Sequence, residues 1–205
     1  MMPTKREQKA ATRRRILEQT ARAIRATGIE RVGISDLMGA IGLTHGGFYA
    51  HFPSKDALAA EALTIALAEQ CDHLLAAADG GLQSLVDVYL SAAHRDQPER
   101  GCPVPAVAAE VARAAPSVRR AFTLAFTEYI SRLAARLPGE DATARGTLAL
   151  ALLAGLCGTL LLSRAVDDPA LADRVLAAGR TVWRRLLDSP SRGERSPSLP
   201  PVPET

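Results

Sequence analysis

Tyr49, His51 and Lys55 bring a phenol, an imidazole and an ammonium close together in the chain. Each can donate a hydrogen bond to a phosphate oxygen. They follow Thr44-His45-Gly46-Gly47, where the Thr44 hydroxyl can cap a first helical turn by accepting from a free backbone N–H. Two glycines at a helix start cost roughly 1 kcal/mol each relative to alanine. A closely approaching partner surface would offset that cost. Phe48 and Phe52, four residues apart, share a face and can anchor the segment in a core, leaving Tyr49 and His51 to point elsewhere. The stretch from Thr44 to Phe52 therefore reads as a short helix pressed against DNA.

Elsewhere the chemistry-bearing residues are sparse. Cys71, Cys102 and Cys157 are widely separated and odd in number, which suggests no disulfide framework and fits a reducing cytoplasm. Cys102, between Gly101 and Pro103, is expected in an exposed loop, where Arg95 and Arg100 would lower its thiol pKa and make it reactive. No paired His and Glu has metal-ligand spacing and no Walker-type glycine loop occurs. His73 and His94 fall in separate elements. The all-α enzyme alternative thus has little support, and no cofactor or metal is expected.

The elements that position the basic stretch are helical. Ile34, Leu37, Met38 and Ile41 lie at helical spacing, and Gly42 follows as a stop able to adopt positive φ. Helix, tight turn and short helix make a helix-turn-helix, whose second helix enters the major groove. Met1 to Ala11 is expected to be a mobile arm, and Thr12 to Thr27 a helix with Ile16, Leu17, Thr20, Ala23 and Ile24 inward, ended by Gly28. Ser54 should cap a long helix from Lys55 to about Ala78. Further helices are expected over Leu82 to Arg95, Ala106 to Ala114, Pro116 to Leu137, Asp141 to Val166 and Ala170 to Leu187. The expected domains are residues 1–55 for DNA binding, 56–188 for ligand binding and dimerisation, and 189–205 as a proline-rich disordered tail.

Composition agrees with an all-α chain: 47% of the 205 residues are hydrophobic, only 4% are aromatic, and no alternating β-branched run appears. The formal net charge is +3, but the first 56 residues hold ten Lys and Arg against five Asp and Glu. A basic N-terminal module on a near-neutral body suits a polyanion. The N-terminus lacks the apolar segment of a secretory signal. Thr147 to Leu162, the longest apolar run, is shorter than the roughly 20 residues of a membrane span, so no membrane association is expected. That helix and the one bearing Trp183 need cover on more than one face, which an isologous homodimer through the last two helices supplies.

Arg15-Ile16-Leu17 through Gly28, Ile34 through Thr44, and Gly46-Gly47-Phe48-Tyr49-Ala50-His51-Phe52-Pro53-Ser54-Lys55-Asp56-Ala57-Leu58 together resemble the TetR family of bacterial transcriptional repressors. The resemblance covers about the first quarter of the chain. It implies that Thr44 to Phe52 is the recognition helix, with His45, Gly46 and Gly47 at base edges and Tyr49, His51 and Lys55 at phosphates. Gly33 departs from the Ser or Thr that often caps the preceding helix. The resemblance also implies a helical inducer-binding domain, with a small-molecule ligand moving the linking helix and spreading the two recognition helices of a dimer on a palindromic double-stranded operator. Tyr89, His94, Phe122, Phe126 and Tyr129 are candidates to line the pocket. A cysteine in a similar Gly-Cys setting senses electrophiles in some members, which adds Cys102 as a candidate.

Overall fold

The computed structural model describes residues 4–188, all of whose regular elements are helices. Helix α1 runs over Lys5–Thr27, longer at its start than expected. Thr4 and Glu7 form a reciprocal capping box there, satisfying two otherwise free donors. The segment expected as an arm is thus helical from Lys5 onward. The tail expected over 189–205 lies outside the described residues.

Helices α2 (Ile34–Ala40) and α3 (His45–Phe48) form the helix-turn-helix. Between them Gly42 has φ 74°, the left-handed conformation the tight turn demands. Gly33 caps α2 without a side-chain hydrogen bond. Helix α4 covers Lys55–Ala78, with the Ser54 hydroxyl accepting from Ala57 N–H. Then follow α5 (Leu82–Tyr89), α6 (Ala92–Asp96), a 3-10 turn at Pro98–Arg100, α7 (Val104–Val111), α8 (Pro116–Ala134), α9 (Ala142–Ala165) and α10 (Pro169–Asp188). The helix expected over Leu82 to Arg95 is therefore two. Ser91 separates them by capping α6 at the N–H of His94.

Helix α4 joins two apolar clusters. Its first half, with Leu58, Ala62 and Leu63, packs with Ile16, Ile24, Met38, Phe48 and Phe52. Its second half, with Leu67, Cys71 and Leu74, packs with Leu85, Tyr89, Leu133, Leu152 and Leu156. Val107 and Val111 of α7 and Val118 of α8 belong to the first cluster, so the N-terminal core is completed by residues far along the chain.

Helix α9, at 24 residues, matches the helix expected over Asp141 to Val166, extends past the apolar run at both ends, and by length and composition alone could cross a membrane. Ala149, Leu152, Leu153, Leu156 and Leu160 instead lie in the core. Trp183 of α10 packs over Gly155, where a side chain would collide with the indole. Large apolar side chains of this pair nevertheless stay exposed at Leu150, Leu161, Leu162, Val182 and Leu186.

Candidate DNA interface and regulatory cavity

The recognition segment is shorter than expected as regular helix. Helix α3 ends at Phe48, and Tyr49 to His51 continue as turns, because two glycines weaken the first turn and Pro53 restricts Phe52. Phe52 N–H nevertheless reaches Phe48 C=O at 3.0 Å, keeping the last turn helix-like. Thr44 accepts from Gly47 N–H, as its position predicts. Phe48 and Phe52 are both buried with rings 5.8 Å apart, and the Arg13 guanidinium lies 4.5 Å over the Phe52 ring.

This anchoring turns the polar residues outward. Tyr49 is 60% exposed, Thr44, His45 and Gly46 are exposed, and Gly47 is half-buried. A side chain at Gly46 would meet nothing within 4 Å, and one at Gly47 only ordinary contacts. Nothing inside the chain therefore calls for glycine at either place. His45 Nδ1 is 2.9 Å from Ser35 Oγ, which ties α3 to α2. His51 is half-buried against α1. Burial, then Lys9 and Arg13, hold its pKa below the ordinary histidine value, and its Nδ1 is buried without a partner. Lys55 donates to Glu30 C=O at 3.0 Å, so its ammonium also holds the loop before α2.

The candidate ligand residues do not form one set. Tyr89 and His94 line a cavity of about 260 Å³ together with Gln70, His73, Leu74 and Val88. Tyr129 lines a different one, of about 270 Å³, between α4 and α8 beside Cys71 and Leu124. Its buried hydroxyl has no hydrogen-bond partner. Phe122 and Phe126 stack on each other at 5.5 Å and pack against the core, lining neither cavity.

Cys102 is not in an exposed loop. It is fully buried directly behind Gly101, because its backbone N–H is held at 2.9 Å by His94 Nε2. His94 Nδ1 in turn lies 2.7 Å from Tyr89 C=O, so the neutral ring donates at Nδ1 and accepts at Nε2. Burial lowers the His94 pKa to about 4, and Arg164 and His73 push the same way against the bond to Tyr89.

The charge near Cys102 also differs in origin from the expectation. Arg95 is paired with Asp96 and Asp173, and the cation acting on the thiol is Arg164. Burial alone would raise the Cys102 pKa. Contacts with Cys157, Tyr89 and the Val104 backbone, helped by Arg164, bring it below the usual thiol value. Cys71, deep in the core, is pushed up to about 11 by burial. The three cysteines, remote in sequence, all belong to one apolar cluster.

One connection was not legible from sequence. The Glu110 carboxylate, on α7, accepts from Ile29 N–H at 2.5 Å and from Glu30 N–H at 3.2 Å. Gly28, with φ 83°, permits this approach, since a Cβ there would overlap the carboxylate. Helix α7 therefore starts two residues after Cys102, beside the cavity wall, and grips the loop before the helix-turn-helix at its far end.

Comparison with known proteins agrees with this architecture. Residues 16–62 match the profile of bacterial regulatory proteins of the tetR family, and residues 80–179 that of a tetracyclin repressor-like C-terminal domain. No curated protein matches the chain. Solved structures with a similar fold include the reduced form of NemR from E. coli, with TM-score 0.70 and 18% identity over 88% of this chain and 99% of that one. A TetR-family regulator from Cytophaga hutchinsonii has TM-score 0.70 and 21% identity, covering 93% of this chain and 100% of its own. One from Legionella pneumophila has TM-score 0.70 and 19% identity, covering 91% and 99%. With both halves matched in sequence and the fold shared over nearly the whole described chain, the protein is a DNA-binding transcriptional regulator, not an enzyme, and belongs to the TetR family.

Proposed function

We propose that the protein is a cytoplasmic repressor that binds a palindromic operator as a homodimer and releases it when a small molecule enters the cavity beside Tyr89 and His94. The observation that carries this reading is the span of α7. One end is fixed to the cavity wall through His94 and Cys102, and the other holds the Ile29–Glu30 loop through Glu110. A ligand that displaces His94 or Gly101 would shift α7, and with it the helix-turn-helix.

Thr44 caps the recognition helix at the DNA, His45, Gly46 and Gly47 approach base edges, and Tyr49, His51 and Lys55 approach phosphates. The exposed anchored geometry of Tyr49 supports this assignment, as does the room left at both glycines. Dimerisation is supported by the apolar outer face of α9 and α10, where Leu150, Ala154, Gly158 and Leu161 follow one another at helical spacing. The domain limits proposed are 1–55 and 56–188, with the first core sealed by α7 and α8.

The reading is tested by selecting an operator from random duplexes and then screening small molecules for its release. Release is expected from the wild type and not from a Val88→Trp variant, whose indole would fill the cavity that Val88 lines. Equal release of both proteins would move the ligand elsewhere.

A second reading, thiol sensing through Cys102, has the Gly101-Cys102-Pro103 setting and a thiol pKa below the usual value in its favour, and requires the fully buried thiol to open to the reagent. A thiol-reactive quinone should then release the wild type and leave Cys102→Ser bound. Equal behaviour of the two would exclude it.

A further inference from the structure

The cavity beside Tyr89 does not end at its own walls. A second cavity, of about 250 Å³, shares Gln70, His73 and Arg100 with it and adds Arg22 and Arg25 of α1 and Glu69 of α4. The two make one cleft. Its inner part is apolar at Leu74, Val88 and Tyr89, and its mouth opens where α1 faces the 3-10 turn. At about 260 Å³ the inner part is smaller than the roughly 300–1,000 Å³ of sites for drug-sized ligands.

The charges around this cleft favour a negative occupant. Behind Gly101 lies the Arg164 guanidinium, 3.5 Å from where a Cβ would stand. It donates to the carbonyls of His94 and Arg95, and Asp96 also acts on it. Burial pulls its pKa below the usual arginine range. Partly buried behind the cleft wall, it adds positive charge on that side. Besides burial, Arg164 and His73 both act to hold the His94 pKa down.

The mouth adds further donors. Glu69 is neutralised there by Arg25 at 2.5 Å, leaving Arg22, Arg100 and His73 facing the single carboxylate of Glu99. Arg25 itself is only 6% exposed, and its Nε–H is buried with no acceptor. An oxygen placed at this end would satisfy a donor that the folded chain leaves empty.

We propose that the cleft binds a small amphipathic anion, a monocarboxylate whose apolar tail lies against Leu74, Val88 and Tyr89 and whose carboxylate meets Arg100 and the α1 arginines. The proposal rests on the reading of this cavity as the ligand site and adds the class of ligand. It also places the head group between α1 of the DNA-binding half and the turn that leads to Cys102. A bound carboxylate would tie α1 to that turn, giving the ligand different contacts in the two arrangements of the protein, as any shift of equilibrium requires.

Calorimetric titration of the full chain with octanoate, octan-1-ol and octylammonium tests it, alongside the uncharged fluorophore N-phenyl-1-naphthylamine as a probe of the apolar part. Octanoate is expected to bind at least about tenfold tighter than either other compound. Arg100→Gln should weaken octanoate about tenfold and leave octan-1-ol unchanged. Octan-1-ol binding as tightly as octanoate, or octylammonium binding tighter, would overturn the anionic class while leaving the cavity as a ligand site. No heat from octanoate would overturn the proposal as well. The ligand reading would fail separately if the fluorophore also bound wild type and Val88→Trp alike.

Discussion

Glu110 accepts the backbone N–H of Ile29 at 2.5 Å across 81 residues of sequence. This contact makes the loop before the helix-turn-helix depend on a helix of the regulatory half. Ile29 is buried, so removing Glu110 leaves its N–H without its protein partner. Glu110→Ala should cost about 1–3 kcal/mol of stability. Glu110→Gln keeps an acceptor oxygen and should recover most of it. Urea denaturation of the three proteins decides this, and wild-type stability in Glu110→Ala would show that the contact is idle.

Tyr49 and Lys55 should act through phosphates. Tyr49→Phe and Lys55→Ala are expected to weaken specific and random duplexes alike; Lys55→Ala should also lower the slope of log K against log salt by about 0.9, whereas loss of the uncharged Tyr49 hydroxyl should leave the slope in place. Titrations at several salt concentrations measure it. Unchanged affinity and slope in both variants would remove these residues from the interface.

His94 gives the fold a pH dependence of known sign. Its folded pKa of about 4 lies below the ordinary value of 6.5, so between these pH values the unfolded chain binds a proton that the native one refuses. The contribution is fully present above about pH 6.5 and is lost as pH falls toward 4. The loss from pH 7 to pH 5 should be on the order of 2 kcal/mol. His94→Gln should flatten this part of the stability curve. A wild-type curve that is already flat there would contradict the burial of a neutral ring.

How much of this was legible in the sequence follows from how local each signal is. Ser54, Gly28, Gly42 and the Phe48–Phe52 pair act within a few residues, and the start of α4 at Lys55 follows from them directly. The Thr4–Glu7 capping box is equally local but was hidden by the basic composition around it, which suggested a mobile arm. The cavity was only half legible. Tyr89 and His94 were candidates for it, whereas His73, Arg100 and Gln70 reach it only because α4, α5 and the 3-10 turn converge. Cys102 looked exposed between Gly101 and Pro103, and a single bond from its N–H to His94 draws it inside. Glu110 gave no sign of its role, since its partner is backbone N–H rather than a recognisable side chain.

The outer face of α9 sets a further expectation. At Gly158 a side chain would meet nothing within 4 Å in the protomer, although neighbouring Leu161 and Leu162 are exposed. Gly158→Trp should therefore leave the folded protomer intact and block close approach of a second copy, weakening the dimer. Sedimentation at micromolar concentration, with circular dichroism as the control for folding, separates the two effects. A variant that associates as tightly as the wild type would place the interface elsewhere, and a wild-type monomer would reject the homodimer.

Two copies of this chain are expected to present the segment from Thr44 to Lys55 to one operator. Selection of binding sites from a pool of random duplexes, followed by measurement of protein stoichiometry on the enriched sequence, tests it most directly. The expected result is a palindrome whose half-sites lie about one helical turn or a multiple apart, bound by two or a larger even number of chains, with binding lost in Tyr49→Ala. A site without two-fold symmetry bound by a single chain, or a palindrome bound equally well by Tyr49→Ala, would contradict it.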